Sequence, residues 1–134
     1  MVLISDEVKA VFEKNRVFSV ATAGRDGTPN VVPIAFVEIK ENDQIWIGDN
    51  YMKKTLANVL ENPRMAIFAY DPDSKQCFQV KGRVDVRTEG PEYKQVRAKI
   101  RAKKETYPAK SLLILTVEEV YSCTPGAGAG DRIA

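Results

Sequence analysis

Apolar and polar positions change period several times along this chain, and each change marks an element. Ser5 followed by Asp6 and Glu7 supplies a capping hydroxyl and two acids for a first helical turn, and Val8, Val11 and Phe12 then share one face. From Phe18 the pattern turns to strand: FSVAT, a turn at AGRDG, then PNVVPIAFVEI, with Asp26-Gly27 suited to the positive φ angles of a hairpin. Pro33 lies inside that second strand and has no N–H to give, which predicts a bulge or an open edge. KENDQ is a second turn and QIWIGD a third short strand. NYMKKTLANVLENP follows as a helix, with Leu56, Val59 and Leu60 on one face and Asn62-Pro63 as its stop. RMAIFAY, QCFQVKGRVDVRT and SLLILTVEEVYSC read as strands four to six, with DPDSK a turn after the fourth and Gly82 a bulge or close-approach point in the fifth. Ahead of the sixth, EGPEYKQVRAKIRAKKE forms a helix with Pro91 in its first turn and Tyr93, Val96 and Ile100 as its buried stripe.

Six strands in hairpin order with few helices predict a mainly β fold, an antiparallel barrel with helices laid outside it. At 134 residues the chain fits one domain, expected to span residues 1–123. TPGAGAGDRIA has no period, so residues 124–134 are expected as an irregular tail.

Composition narrows the chemistry. Apolar residues make up 44 % and charged residues 28 %, as in a packed domain and not a disordered one. The apolar run at residues 112–115 is far short of the about 20 residues that cross a membrane. MVLISDEVKAVFEKN lacks the basic region and cleavage pattern of a signal peptide, so a cytoplasmic location is expected. Cys77 and Cys123 are too few for a disulfide framework and, without any histidine, form no ordinary zinc set. Both are expected as reduced, buried thiols, and no metal site is expected. The missing histidine also removes Ser-His and Cys-His nucleophile pairs. Any chemistry here would fall to something other than a histidine, and a bound cofactor is one candidate.

The sharpest feature is Lys53-Lys54-Thr55. Unpaired amides at a helix start already favour an anion, whereas cations there oppose the helix dipole. A bound anion would turn the misplaced lysines into partners, and the threonine hydroxyl adds a donor; a solvated lysine pair is the other reading. The second basic run, from Lys94 to Lys104, carries six cations and reads as a solvated helix face. With a net charge of +2 and no interleaved aromatics, nucleic acid is not an expected partner. Trp46 reads as core, and GAGAG lacks the helix and lysine of a phosphate loop.

Taken in order, VFSVATAGRDGTPNVVPIAF, IWIGDNYMKKTLANVLENPRMAIF and FQVKGRVDVRTEGPEY resemble the FMN-binding split-barrel proteins of the pyridoxamine 5'-phosphate oxidase-like superfamily. The short FMN-binding proteins are the most similar, through Lys54-Thr55, Ala57 to Val59 and Arg87 to Glu92. That resemblance implies a six-stranded antiparallel split barrel and a homodimer with FMN at the subunit interface. It implies that Lys54 and Thr55 hold the FMN phosphate with Lys53 as helper, and that Val32, Pro33, Ile34, Gly48 and Asp49 run along the isoalloxazine. The implied function is that of a small redox or electron-transfer protein, or a flavin-dependent oxidoreductase, with a redox partner or small-molecule substrate that the chain does not name. The alternative is a non-enzymatic split-barrel module for a deazaflavin, a haem or a protein partner. The oxidases hold their substrate with a C-terminal arginine and histidine; this chain has no histidine, so pyridoxamine 5'-phosphate oxidation itself is not expected. Cys77 stands where those oxidases place a glutamine, and Arg132 in the tail could reach a neighbouring site.

Overall fold

The computed structural model describes residues 2–134. Helices α1 (Asp6–Glu13), α2 (Lys54–Glu61) and α3 (Pro91–Lys103) are set among seven strands: β1 (Phe18–Ala23), β2 (Pro29–Ile34), β3 (Val37–Lys40), β4 (Gln44–Asp49), β5 (Arg64–Tyr70), β6 (Cys77–Arg87) and β7 (Ser111–Ser122). All strand pairs are antiparallel, in the order β2-β1-β5-β6-β7-β4-β3. β2 and β3 are therefore opposite edges of one sheet, yet only Ala35 and Phe36 separate them along the chain. Three Cα steps reach about 11 Å, whereas a flat sheet of this size would hold its edges about 28 Å apart. The sheet must curl until its edges meet, which makes a split barrel.

Among the described residues the strand count is seven and not six, because PNVVPIAFVEI is two strands. Its first half pairs with β1 and its second half with β4, so the chain must cross from one edge to the other between them. Pro33, opposite Ser19, lies on the open edge where its missing N–H breaks no ladder. The other local signals take the expected forms. Ser5 Oγ accepts from the Val8 N–H at 3.3 Å, Gly27 has φ 89° in the first hairpin, and the β6–β7 register slips between Lys81 and Gly82.

Two apolar clusters hold the curl. Inside it, Val20, Ile45, Ile47, Ile67, Val80, Leu113 and Leu115 are fully enclosed, and α1 packs Val8, Val11 and Phe12 onto them. The Phe12 and Phe18 ring centroids stand 5.5 Å apart. Outside it, Val96 and Ile100 of α3 cover Trp46, Leu112 and Ile114. β4 and β7 are thus buried on both faces, which is why their sequences read as continuous apolar runs rather than alternations. α2 lies against β1 and β2; Thr55 and Val59 face inward and Leu56 is half-buried. Leu60 is 65 % exposed. The expected stripe of Leu56, Val59 and Leu60 is corrected accordingly, since about 100° separates Leu60 from Val59 around the helix.

Beyond β7 the chain turns back on itself: Ser122 N–H donates to Asp131 O at 2.9 Å and Ile133 N–H to Val120 O at 2.8 Å. Arg132 is engaged there, with a guanidinium nitrogen 3.8 Å from Glu119. Cys77 is buried and Cys123 half-buried, both as free thiols; burial, together with the neighbouring Cys123, pushes the Cys77 thiol up. Among the described residues no helix is long and apolar enough to cross a membrane, and no cluster of potential metal ligands occurs.

The buried Asp71 carboxylate ties the DPDSK turn to α1. Hydrogen bonds from Lys14 Nζ (2.9 Å) and Ser74 Oγ (2.7 Å) hold its pKa down to about 2, from the ordinary 3.8. A depressed carboxylate stabilises the fold above its unfolded value, and that contribution is lost as pH falls from about 4 through 2. Asp71→Asn should therefore flatten the dependence of urea midpoint on pH in that interval, and an unchanged slope would contradict the assignment.

Candidate functional site

A cleft of about 520 Å³ opens where the free edge of β2, the end of β4, the start of α2 and the last turn of α3 meet. Of the residues singled out in the sequence, Val32, Pro33, Ile34, Gly48, Lys53, Lys54 and Thr55 line it together. Asp49 does not. Its side chain is wholly buried, accepting from Met52 N–H at 2.9 Å and Ser111 Oγ at 2.8 Å, with Lys110 Nζ 3.8 Å away. Its carbonyl accepts from Lys110 N–H at 2.7 Å. Asp49 is thus fully buried, with both carboxylate oxygens and its carbonyl hydrogen-bonded within the chain.

Those bonds fix the path of the chain into α2. Lys110 Nζ donates to Met52 O at 2.7 Å, and Asn50 Oδ1 accepts from Ala109 N–H at 2.9 Å. The run 50–53 is thereby strapped to the start of β7, and α2 begins abruptly at Lys54. No side chain caps it, and no acid stands in its first turn. α1, by contrast, has both a serine cap and two acids. The first amides of α2 therefore lack intrahelical partners and present the positive end of the dipole. Both lysines are exposed, and among the described residues no carboxylate pairs with either. Thr55 is only 2 % exposed, and its Oγ1 accepts from Asn30 Nδ2 at 3.0 Å.

The other walls are mostly apolar. The β2 residues and Ala35 form one side and Phe36 and Ile100 another. Gly48 permits this packing, because a Cβ there would lie 2.6 Å from Ile100 Cδ1 and 3.0 Å from Phe36 Cδ1. The cleft thus joins amides, two ammonium groups and a hydroxyl at one end to an apolar slot at the other. Such a site accommodates an anionic head on a largely apolar body.

α3 and the segment after it contribute what the sequence reading missed: Ile100, Lys103 and Tyr107. Lys103 is exposed, as the solvated reading of the basic run expects, and its Nζ also stands 5.7 Å from the Phe36 ring centre. Elsewhere on that helix Lys99 pairs with Glu38 at 2.7 Å and Arg101 donates to Tyr107 O at 3.2 Å. Tyr51 and Asn50 also line the cleft, and their adjacency to the lysine pair was a usable signal. Trp46 lies in the core beneath α3, its Nε1 donating to Gln44 Oε1 at 3.0 Å.

An uncharacterised protein of Methanocaldococcus jannaschii is similar to this chain, at 31 % identity over 137 residues that cover 100 % of this chain and 90 % of the relative. Among solved structures, HupZ of Group A Streptococcus superposes with a TM-score of 0.80 at 26 % identity, covering 96 % of this chain and 100 % of that one. An FMN-binding protein from Syntrophomonas wolfei has the same fold, with a TM-score of 0.72 at 21 % identity over 86 % and 82 % of the two chains. The family model described as pyridoxamine 5'-phosphate oxidase matches residues 4–124. That span takes in both core clusters and every wall of the cleft, and by it the chain belongs to the pyridoxamine 5'-phosphate oxidase family.

Proposed function

We propose that the cleft binds FMN and that the protein is a small flavoprotein serving electron transfer or flavin-dependent oxidoreduction. The observation that carries this reading is the union, in one cleft, of the uncapped, lysine-flanked start of α2 with an apolar slot along the β2 edge. A phosphate dianion suits the first and a flat ring system the second. Family membership points the same way, and the similar Syntrophomonas wolfei protein binds FMN.

In this reading Lys54 and Thr55 bind the phosphate and Lys53 closes over it. Val32, Pro33 and Ile34 lie along the ring, with Phe36 and Ile100 excluding water beside it. FMN would supply one- and two-electron transfer at its ring. The chain needs no acid or base of its own for that. With no histidine in the sequence, there is no imidazole to hold a haem iron or a pyridoxamine phosphate. Large apolar side chains are exposed on the elements framing the cleft: Tyr51 at 71 %, Val31 at 65 % and Leu60 at 65 %. Exposed apolar side chains beside a site suit a contact face, and a second copy of the chain, with the flavin between the two, is the proposed occupant.

The test is to incubate the purified protein with FMN, desalt it, and record the visible spectrum and the mass by light scattering. A retained flavin spectrum with one FMN per chain, on a particle of twice 14.9 kDa, is expected. Colourless protein would sink the flavin reading. A deazaflavin or haem spectrum in the protein as purified would replace it with the alternative module.

A further inference from the structure

Behind the lysine end of the cleft lies a polar cluster of which Thr55 alone lines the cleft, while Thr22, Asn30 and Asn58 stand behind it. Thr22 and Thr55 are 6 % and 2 % exposed. Asn30 Nδ2 donates to both, at 3.2 Å to Thr22 Oγ1 and 3.0 Å to Thr55 Oγ1, and Asn58 Nδ2 donates to Thr22 Oγ1 at 3.0 Å.

We propose that Asn30 is a positioning residue that turns the Thr55 hydroxyl hydrogen into the cleft, where it selects ligands ending in a phosphate over the same ring system without one. This rests on the reading of the cleft as a flavin site.

The direction follows from counting donors. A side-chain amide has two N–H groups, and Asn30 directs them at two hydroxyl oxygens. A hydroxyl that accepts along one line must give its own hydrogen along another. A threonine inside a helix usually returns it to the carbonyl four residues back. Thr55 is the second residue of α2, so the corresponding carbonyl belongs to Tyr51, outside the helix. Among the described residues no hydrogen bond runs from Thr55 Oγ1 to that carbonyl or to the next candidate, Met52 O, which accepts from Lys110 Nζ at 2.7 Å. Among the described residues Thr55 Oγ1 has Asn30 as its hydrogen-bond partner, and only as an acceptor. A donor this deeply buried is costly when unmet, and Thr55 lines the cleft beside Lys54. An anionic oxygen at the start of α2 would satisfy it. Riboflavin, which has the ring but no phosphate, would not.

Dissociation constants for FMN and riboflavin, read from flavin fluorescence in wild type, Asn30→Ala, Asn30→Asp, Thr55→Val and Asn30→Ala/Thr55→Val, test this. Wild type should prefer FMN. Asn30→Ala should lose about tenfold of that preference with riboflavin affinity unchanged. Thr55→Val should lose as much, and the double variant no more, because both changes remove one hydrogen bond. A purely structural role would lower both affinities together. Asn30→Asp keeps the shape but can only accept, so it draws the hydroxyl hydrogen back and should lose the preference too; it carries the test if Asn30→Ala does not fold. A retained preference in either Asn30 variant, or losses that multiply in the double variant, would overturn the proposal while leaving the flavin site standing. Wild type that binds neither flavin overturns both.

Discussion

Converting Lys53 and Lys54 together to alanine is expected to raise the dissociation constant for FMN on the order of 100-fold while leaving riboflavin binding unchanged. Each lysine gives a phosphate a charge-assisted partner, and such bonds contribute about 1.5 to 3 kcal/mol each. Two at the lower end make about 3 kcal/mol, or roughly two decades in affinity. The same change should not harm the fold. Both side chains are exposed, neither has an acidic partner among the described residues, and cations at a helix start oppose its dipole by about 0.3 to 1 kcal/mol. The ligand-free variant should melt at the wild-type temperature or slightly above it. The binding arm separates a ligand role from a solvated surface, since lysines that merely solvate a surface would leave FMN affinity unchanged, and the melting arm shows that the loss of affinity is not a loss of fold. Calorimetric titration and a thermal scan on the same preparation suffice, and undiminished FMN affinity would remove the lysine pair from the site.

Gly82→Ala carries the largest expected cost to stability. An ideal Cβ at Gly82 would lie 2.0 Å from Thr116 O and 2.9 Å from Thr116 C. Those atoms are backbone, so no rotamer change relieves the clash. β6 and β7 would have to part at the slip where Lys81 faces Glu119 and Gly82 faces Val117. Overpacking of this kind costs about 3 kcal/mol, which for a domain of this size lowers the melting temperature by about 10 °C. Gly128→Ala is the contrast, because its methyl would meet nothing closer than 3.7 Å. A melting temperature for Gly82→Ala within 2 °C of wild type, on the order of 0.5 kcal/mol, would show that the strands yield there.

Much of the fold was legible because the signals that specify it are local. Ser5 with Asp6 and Glu7, Asp26-Gly27, Asn62-Pro63 and Pro91 act on backbone within a few residues of themselves. They mark the ends of helices and strands at close to their observed positions. The split of PNVVPIAFVEI into β2 and β3 was not legible, because both halves have the same strand character. Only the partner strands differ, and those lie elsewhere in the chain. Leu60 misled for a related reason: helical periodicity fixes the angles between side chains, but the sheet on which α2 rests chooses which angle faces inward.

The site divides along the same line. Lys53, Lys54 and Thr55 could be picked out from their misfit with the helix they open, since capping and dipole effects act within one turn. Asp49, next to the same loop, could not be distinguished from a ligand contact until Ser111 and Met52 were seen to consume its oxygens. Phe36, Ile100, Lys103 and Tyr107 reach the cleft only because α3 packs over β4 and β7. Nothing near them in the chain records that. What the sequence determined by itself is a lysine pair and a threonine at a helix start, the feature on which the proposed anion site rests: charge and helix start are properties of adjacent residues. What only the tertiary structure decided is the apolar slot beside that point, the burial of Asp49 and the Asn30 partner of Thr55. These arise from contacts between segments far apart in the chain, selected by the burial of the whole curled sheet and not by any one stretch of it.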